Sequence, residues 1–260
     1  MKRLLMAAAI GLATPALADP DVIIIQSTTS TENSGLFDAI LPGFEAATGV
    51  EARVVAVGTG QAIRNAERGD GDVLLVHDTA AEEAFVAAGY GVTRFDVMYN
   101  DFIIVGPQDD PAGIGGFTDA PEALDAIAGA EAVFVSRGDE SGTHRAELRL
   151  WPQPPEGRWY RETGSGMGAT LNVAVGLDGY ALTDRATWVA FGNKGSHAIL
   201  VEGDARLFNQ YGVISTHTEP SGRSAAAQAF VDWITGAEGQ SAIGAFRVDG
   251  QQVFFPNAER

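Results

Sequence analysis

Apolar, β-branched runs alternate with helical segments over the first third of the chain, and this alternation restricts the chain to an α/β fold. Val22-Ile23-Ile24-Ile25 reads as a strand buried on both faces. A hydroxyl-rich turn, Ser27-Thr28-Thr29-Ser30-Thr31, follows it. From about residue 34 to 48, Leu36, Phe37, Ile40, Leu41 and Phe44 recur at spacings of three and four, the signature of one buried helix face, and Gly49 stops the helix. Residues 50–57 form the next strand, 61–68 a helix ended by Gly69, and 73–76 a third strand. Such an order requires right-handed crossovers between parallel strands.

Further along, 80–88 reads as a helix and 101–105 as a strand. The Pro- and Gly-rich stretch 109–116 marks a boundary just after the chain has entered a second unit. Helix 121–128, strand 132–135 and helices 141–150 and 167–177 follow, and the chain returns near 210–215 to closing helices 225–235 and 238–246. No internal repeat or low-complexity tract interrupts this pattern. The economical arrangement is two α/β lobes joined by two crossovers, 19–104 with 210–260 in one and 105–209 in the other. A ligand cleft then lies between them.

The N-terminus is set apart from this pattern. Lys2 and Arg3 precede an apolar run from Leu4 to Ala13, and Ala16-Leu17-Ala18 supplies small residues for cleavage before Asp19. Residues 1–18 are expected to be a secretory signal peptide, too short to span a bilayer, leaving 242 residues outside the cytoplasm. The chain has no cysteine, which excludes disulfides, thiol chemistry and a lipid anchor on cysteine. Net charge is −17, and loss of Lys2 and Arg3 takes it to −19. That balance argues against nucleic acid and anionic membranes as partners. It does not exclude an anionic ligand, because surface charge is screened beyond about 8 Å whereas donors touching the ligand are not.

Three strand-to-helix turns carry the candidate chemistry. In an α/β sheet the carboxyl ends of parallel strands face the ligand crevice. The first turn, 27–31, stacks five hydroxyl residues where a helix cap needs one, at a helix start with free N–H groups. The second, Gly58-Thr59-Gly60, permits close backbone approach and is not a nucleotide P-loop, since no Lys-Ser/Thr pair follows. The third is Ser136-Arg137-Gly138-Asp139-Glu140-Ser141-Gly142-Thr143, in which a strand delivers a guanidinium and small polar residues start a helix. Asp139 is the natural partner to orient Arg137. One arginine and two or three helix N-termini at roughly half a charge each sum to about +2, which suits a dianion.

The histidines, His77, His144, His197 and His217, show no metal-ligand spacing, and each reads as structural. His144 follows Thr143, but no G-x-S-x-G elbow supports a hydrolase. Trp151, Trp159, Trp188 and Trp233 are scattered and read as packing residues.

These turns, together with 54–61 (VVAVGTGQ), 72–78 (DVLLVHD), 89–106 (GYGVTRFDVMYNDFIIVG), 136–144 (SRGDESGTH), 162–170 (ETGSGMGAT), 183–187 (TDRAT) and 211–214 (YGVI), resemble the substrate-binding proteins of tungstate ABC importers over nearly the whole mature length. The family's Thr-Thr-Thr-Ser turn stands here as Ser27-Thr28-Thr29-Ser30. The resemblance implies a two-lobe periplasmic-binding-protein fold of type II character, with the ligand in the interlobe cleft. It implies anion contacts from Thr28, Thr29, Ser30, Thr59, Arg137, Ser141 and Thr143, with Ser27, where the departure falls, left open. It also implies a monomeric periplasmic component without cofactor or membrane insertion, docking on a permease and an ATPase that lie outside this chain.

Other readings stay in competition. Molybdate, sulfate or phosphate could occupy the same cleft, and Asp139 discriminates among them: facing the ligand it would accept a proton from hydrogen phosphate, whereas a fully deprotonated oxyanion requires it to face Arg137. A sensor subunit would bind the same ion and report to a receptor. An exported enzyme with a nucleophile near Thr29 or Ser141 would need a base within hydrogen-bond reach of that hydroxyl.

Overall fold

The computed structural model describes residues 22–217 and 222–259. The expected signal peptide, 1–18, lies outside the described residues. The chain runs β1 (Val22–Thr28), α1 (Thr29–Asn33), α2 (Leu36–Thr48), β2 (Glu51–Val57), α3 (Thr59–Glu67), β3 (Val73–Val76), α4 (Thr79–Ala87) and β4 (Arg94–Pro107). It continues through α5 (Ala120–Gly129), β5 (Phe134–Ser136), α6 (Gly142–Leu150), β6 (Tyr160–Glu162), α7 (Met167–Gly176), β7 (Ala181–Asp184), α8 (Arg185–Ala190) and β8 (His197–Val201). β9 (Phe208–Ser215), α9 (Gly222–Thr235), α10 (Ala237–Ala245) and β10 (Phe255–Pro256) close it.

The mixed α/β architecture expected from the alternation is present. β1 pairs in parallel with β2 on one side and β3 on the other, and β9 then joins β3 antiparallel. The long strand β4 organises the rest. Its first part, Arg94 to Asp101, pairs antiparallel with β9, and its continuation from Phe102 pairs with β7 and β8. β5 joins β6 in parallel and bridges to Tyr180 beside β7. One strand thus belongs to two sheet regions, changing partners between Asp101 and Phe102.

Each sheet region is covered on both faces, which explains the near-continuous apolar composition of β1, β3 and β4. Helices α2 and α9 cover β1 and β9 with Phe37, Ile40, Phe44, Phe230 and Ile234, while α3 and α4 cover the opposite face with Ala62, Ile63 and Phe85. In the second region Leu124, Ile127, Leu150 and Trp151 lie on one face, and Met167, Leu171 and Trp188 on the other. Helix α8 touches both regions, Ala186 and Val189 packing with the core of the first and Trp188 with Met167 and Leu171 of the second. Among the described residues no helix is long and apolar enough to cross a membrane.

Several boundaries differ from the expectation, and each difference has a local cause. The helix expected from about 34 to 48 is present as α2, whereas the hydroxyl-rich turn before it winds into the short helix α1. Gly35, at φ +78°, adopts the left-handed conformation open to glycine and turns the chain between α1 and α2. Ser34 closes that corner, its hydroxyl donating to Thr31 O at 2.6 Å. Helix α3 begins at Thr59 rather than 61, so Thr59 is its first residue instead of part of the turn. The strands β6, β7, β8 and β10 and helix α8 were not anticipated, being short segments without a clear period.

Candidate functional site

The parallel register of β1, β2 and β3 brings their carboxyl ends to one edge, where each hands over to a helix: Thr28 to α1, Val57 through Gly58 to α3, and Val76 through His77 and Asp78 to α4. The turn from β5 into α6 meets this edge from the second sheet region. Gly142 N donates to Thr59 Oγ1 at 3.1 Å, joining the two. Contact is close enough that a Cβ on Gly142 would stand 2.9 Å from that oxygen and 3.0 Å from His77 Cε1. Arg145 makes a second crossing, to Asp78 Oδ2 at 3.3 Å.

The first turn is a buried ring of hydroxyls. Thr28 caps α1, and its Oγ1 lies 3.1 Å from Ser30 Oγ and 2.8 Å from Thr31 Oγ1. Ser30 Oγ also lies 3.3 Å from His77 Nε2, and Thr29 is half-buried beside it. Ser27 behaves differently. Its hydroxyl donates to Leu75 O at 2.6 Å, within the sheet, so this hydroxyl is spent on joining β1 to β3.

The second and third turns add a charge and hydroxyls. Thr59 is buried, and because its oxygen accepts from Gly142, its proton remains to be donated elsewhere. Arg137 is 4% exposed. Its Nε and Nη2 donate to Asp139 Oδ2 at 3.1 and 2.5 Å, and Asp139 Oδ1 accepts from Ser141 N at 3.2 Å. Burial alone would raise the Asp139 pKa, but the Ser141 hydroxyl and the Arg137 guanidinium outweigh it and hold the carboxyl below its usual range. Ser141 caps α6, its Oγ accepting from His144 N at 3.2 Å. Thr143 Oγ1 is buried with no hydrogen-bond partner among the described residues, and His144 Nε2 has none closer than the Glu162 carboxylate at 3.9 Å. An unpaired buried hydroxyl carries a desolvation cost that a ligand acceptor would relieve.

The expected residues Thr28, Ser30, Thr59, Arg137, Ser141 and Thr143 are all buried. The amides of Ser141 and Gly142, in the turn into α6, are engaged within the protein by Asp139 and Thr59. Two features went unread. Thr163 meets the backbone at the end of β5, its Oγ1 lying 3.4 Å from both Ser136 O and Arg137 O and 2.8 Å from Thr170 Oγ1. His77, read as structural, stands between Ser30 and Asn209, and it follows β3 at the same sheet edge as the other turns. Its position immediately after a parallel strand was the signal available. Burial, with Arg137 adding to it, pushes the His77 pKa down to about 4, so the ring is neutral near pH 7.

Fold and site together define a binding protein of the periplasmic-binding class, and the PBP superfamily domain matches residues 14–238. The chain is 47% identical over 247 residues to the tungstate-binding protein TupA of Peptoclostridium acidaminophilum, covering 92% of this chain and 86% of the relative. It is 36% identical to the tungstate-binding protein TupA of Campylobacter jejuni, covering 88% and 89%. The solved tungstate-binding protein TupA of Desulfovibrio alaskensis is 47% identical, with TM-score 0.80 and coverage of 92% of this chain and 100% of that one. The chain belongs to the TupA family of tungstate-binding proteins.

Proposed function

We propose that this chain captures tungstate outside the cytoplasm and delivers it to the permease of an ABC importer driven by a cytoplasmic ATPase. Thr28, Thr29, Ser30, Thr59, Arg137, Ser141 and Thr143 are the proposed ligand residues. In this reading the mature protein is a periplasmic monomer without a cofactor. Its lobes, 19–104 with 210–260 and 105–209, close over the ion by bending where β4 changes partners.

The observation that carries the reading is the orientation of Asp139. Both its oxygens are occupied inside its own turn, by Arg137 and by the Ser141 amide. A site with hydroxyl donors and a guanidinium, whose Asp139 is engaged within its own turn, favours a fully deprotonated tetrahedral oxyanion over hydrogen phosphate. Burying a dianion unpaired costs tens of kcal/mol, so many donors must act together. Six or seven charge-assisted bonds at about 1.5–3 kcal/mol each support binding near −12 kcal/mol, the nanomolar range. The similarity to tungstate-binding relatives favours tungstate over molybdate, two ions of the same charge and shape. Calorimetry with tungstate, molybdate, sulfate and phosphate tests this, and submicromolar tungstate binding is expected. Absence of submicromolar tungstate binding refutes it.

One contact favours a second reading. Ser30, His77 and Asn209 form a hydroxyl–imidazole–amide chain of 3.3 and 3.1 Å, the order of a nucleophile, its base and an orienting group. Turnover in an esterase or phosphatase screen that is lost in Ser30→Ala would support it. The binding reading expects no turnover.

A further inference from the structure

His77 has a partner at each ring nitrogen, and the two partners do different things. Asn209 Nδ2 donates to Asn100 Oδ1 at 2.6 Å, which turns the Asn209 oxygen toward His77 Nδ1 at 3.1 Å. Nδ1 therefore carries a hydrogen whether or not the ring is charged. In the neutral ring Nε2 is then a lone pair, 3.3 Å from Ser30 Oγ. Ser30 has one proton, and its other close neighbour is Thr28 Oγ1. A Ser30 hydroxyl that donates to Nε2 offers an incoming anion only its lone pairs. A protonated ring reverses the bond: Nε2–H donates to Ser30 Oγ, and the Ser30 proton is freed for the cleft. The bond to Asn209 is the same in both states, so the change needs no rearrangement.

The charges around the ring are few. Arg137, from the turn before α6, opposes a proton, and Asp78, the next residue on its own segment, favours one. Asp78 is itself paired with Arg145 of α6. Arg149 of α6 and Arg206, the latter paired with Asp204 and Asp119, line the cavity of about 520 Å³ that His77 also borders. The rings of Tyr211 and Phe102 enclose it at 4.9 and 6.3 Å. Burial and Arg137 outweigh Asp78 and the Asn209 bond, and the ring is neutral near pH 7. A dianion held by Arg137 and Ser30 reverses the sign of the nearest field.

We propose that His77 is a positioning residue of the oxyanion site that takes up a proton as a dianion enters, changing from an acceptor that occupies the Ser30 hydroxyl into a donor that releases it. The inference rests on the oxyanion reading above. Its consequence is that capture strengthens as pH falls, by up to about tenfold in Kd per pH unit where one proton is taken up.

Titration calorimetry with sodium tungstate near pH 7, in buffers of different ionisation enthalpy, counts that proton directly. The wild-type protein is expected to take up close to one proton per ion. His77→Gln is expected to bind more weakly, with no uptake and a flat pH profile. Imidazole nitrogen shifts of the wild-type protein, with and without tungstate, read the same event without a substitution. Binding with no buffer-dependent heat and unmoved His77 nitrogens overturns the proposal while leaving the oxyanion reading intact. Absence of any tungstate binding overturns both.

Discussion

Replacing Arg137 with alanine removes the only full positive charge that the three turns bring into the cleft. The side chain is 4% exposed, and two of its N–H groups are committed to Asp139 Oδ2, leaving the rest of the guanidinium for a ligand. One or two charge-assisted bonds at about 1.5–3 kcal/mol each set the loss at about 2–4 kcal/mol, roughly 30- to 1000-fold in Kd. The Asp139 carboxylate adds to the effect, because its negative charge then lies near the ion without its partner. Arg137→Lys keeps the charge but not the fork, and should fall between wild type and Arg137→Ala. Calorimetry with tungstate measures the series, with thermal unfolding as the control for folding. A folded Arg137→Ala protein with unchanged affinity refutes the assignment and moves Arg137 out of the site.

Other substitutions separate closure from packing. Gly142→Ala places a Cβ 2.9 Å from Thr59 Oγ1, and should cost at least about tenfold in tungstate affinity, about 1.4 kcal/mol, while reducing the ligand-induced compaction seen by small-angle scattering. Arg145→Ala removes an ion pair whose arginine is 35% exposed, so the change should be under about 1 kcal/mol in affinity. Ser27→Ala loses the buried bond to Leu75 O, and denaturant unfolding should show about 1 kcal/mol less stability with affinity nearly unchanged. For the unliganded protein, the His77 pKa near 4 lies below the ordinary value of 6.5, so the unfolded chain binds the extra proton between these values. Stability from this group is complete above pH 6.5 and falls as pH drops toward 4, by about 3 kcal/mol in all, a slope that His77→Gln should flatten.

The sequence was most readable where period and punctuation agree. Leu36 to Phe44 repeats at helical spacing, and Gly49 ends α2 in the left-handed conformation. The three turns were readable because small and hydroxyl residues beyond the needs of a cap sit between a strand and a helix. Asp139 was assigned to Arg137 from proximity alone, and the bonds are there. Partners far apart in sequence were not readable. Thr59 meets Gly142 across 83 residues and His77 meets Asn209 across 132, contacts that only the folded sheet creates. The role of Ser27 was hidden for the same reason, since its acceptor lies on β3. His77 has no motif spacing, and only its place at a strand end marks it.

The most direct measurement is anomalous diffraction at a tungsten edge from crystals grown with tungstate. A single strong peak is expected within hydrogen-bonding reach of Arg137, Ser30, Thr59 and Thr143 through the ion's oxygens, with Asp139 still turned onto Arg137. A peak elsewhere, or an Asp139 carboxylate facing the ion, contradicts the account.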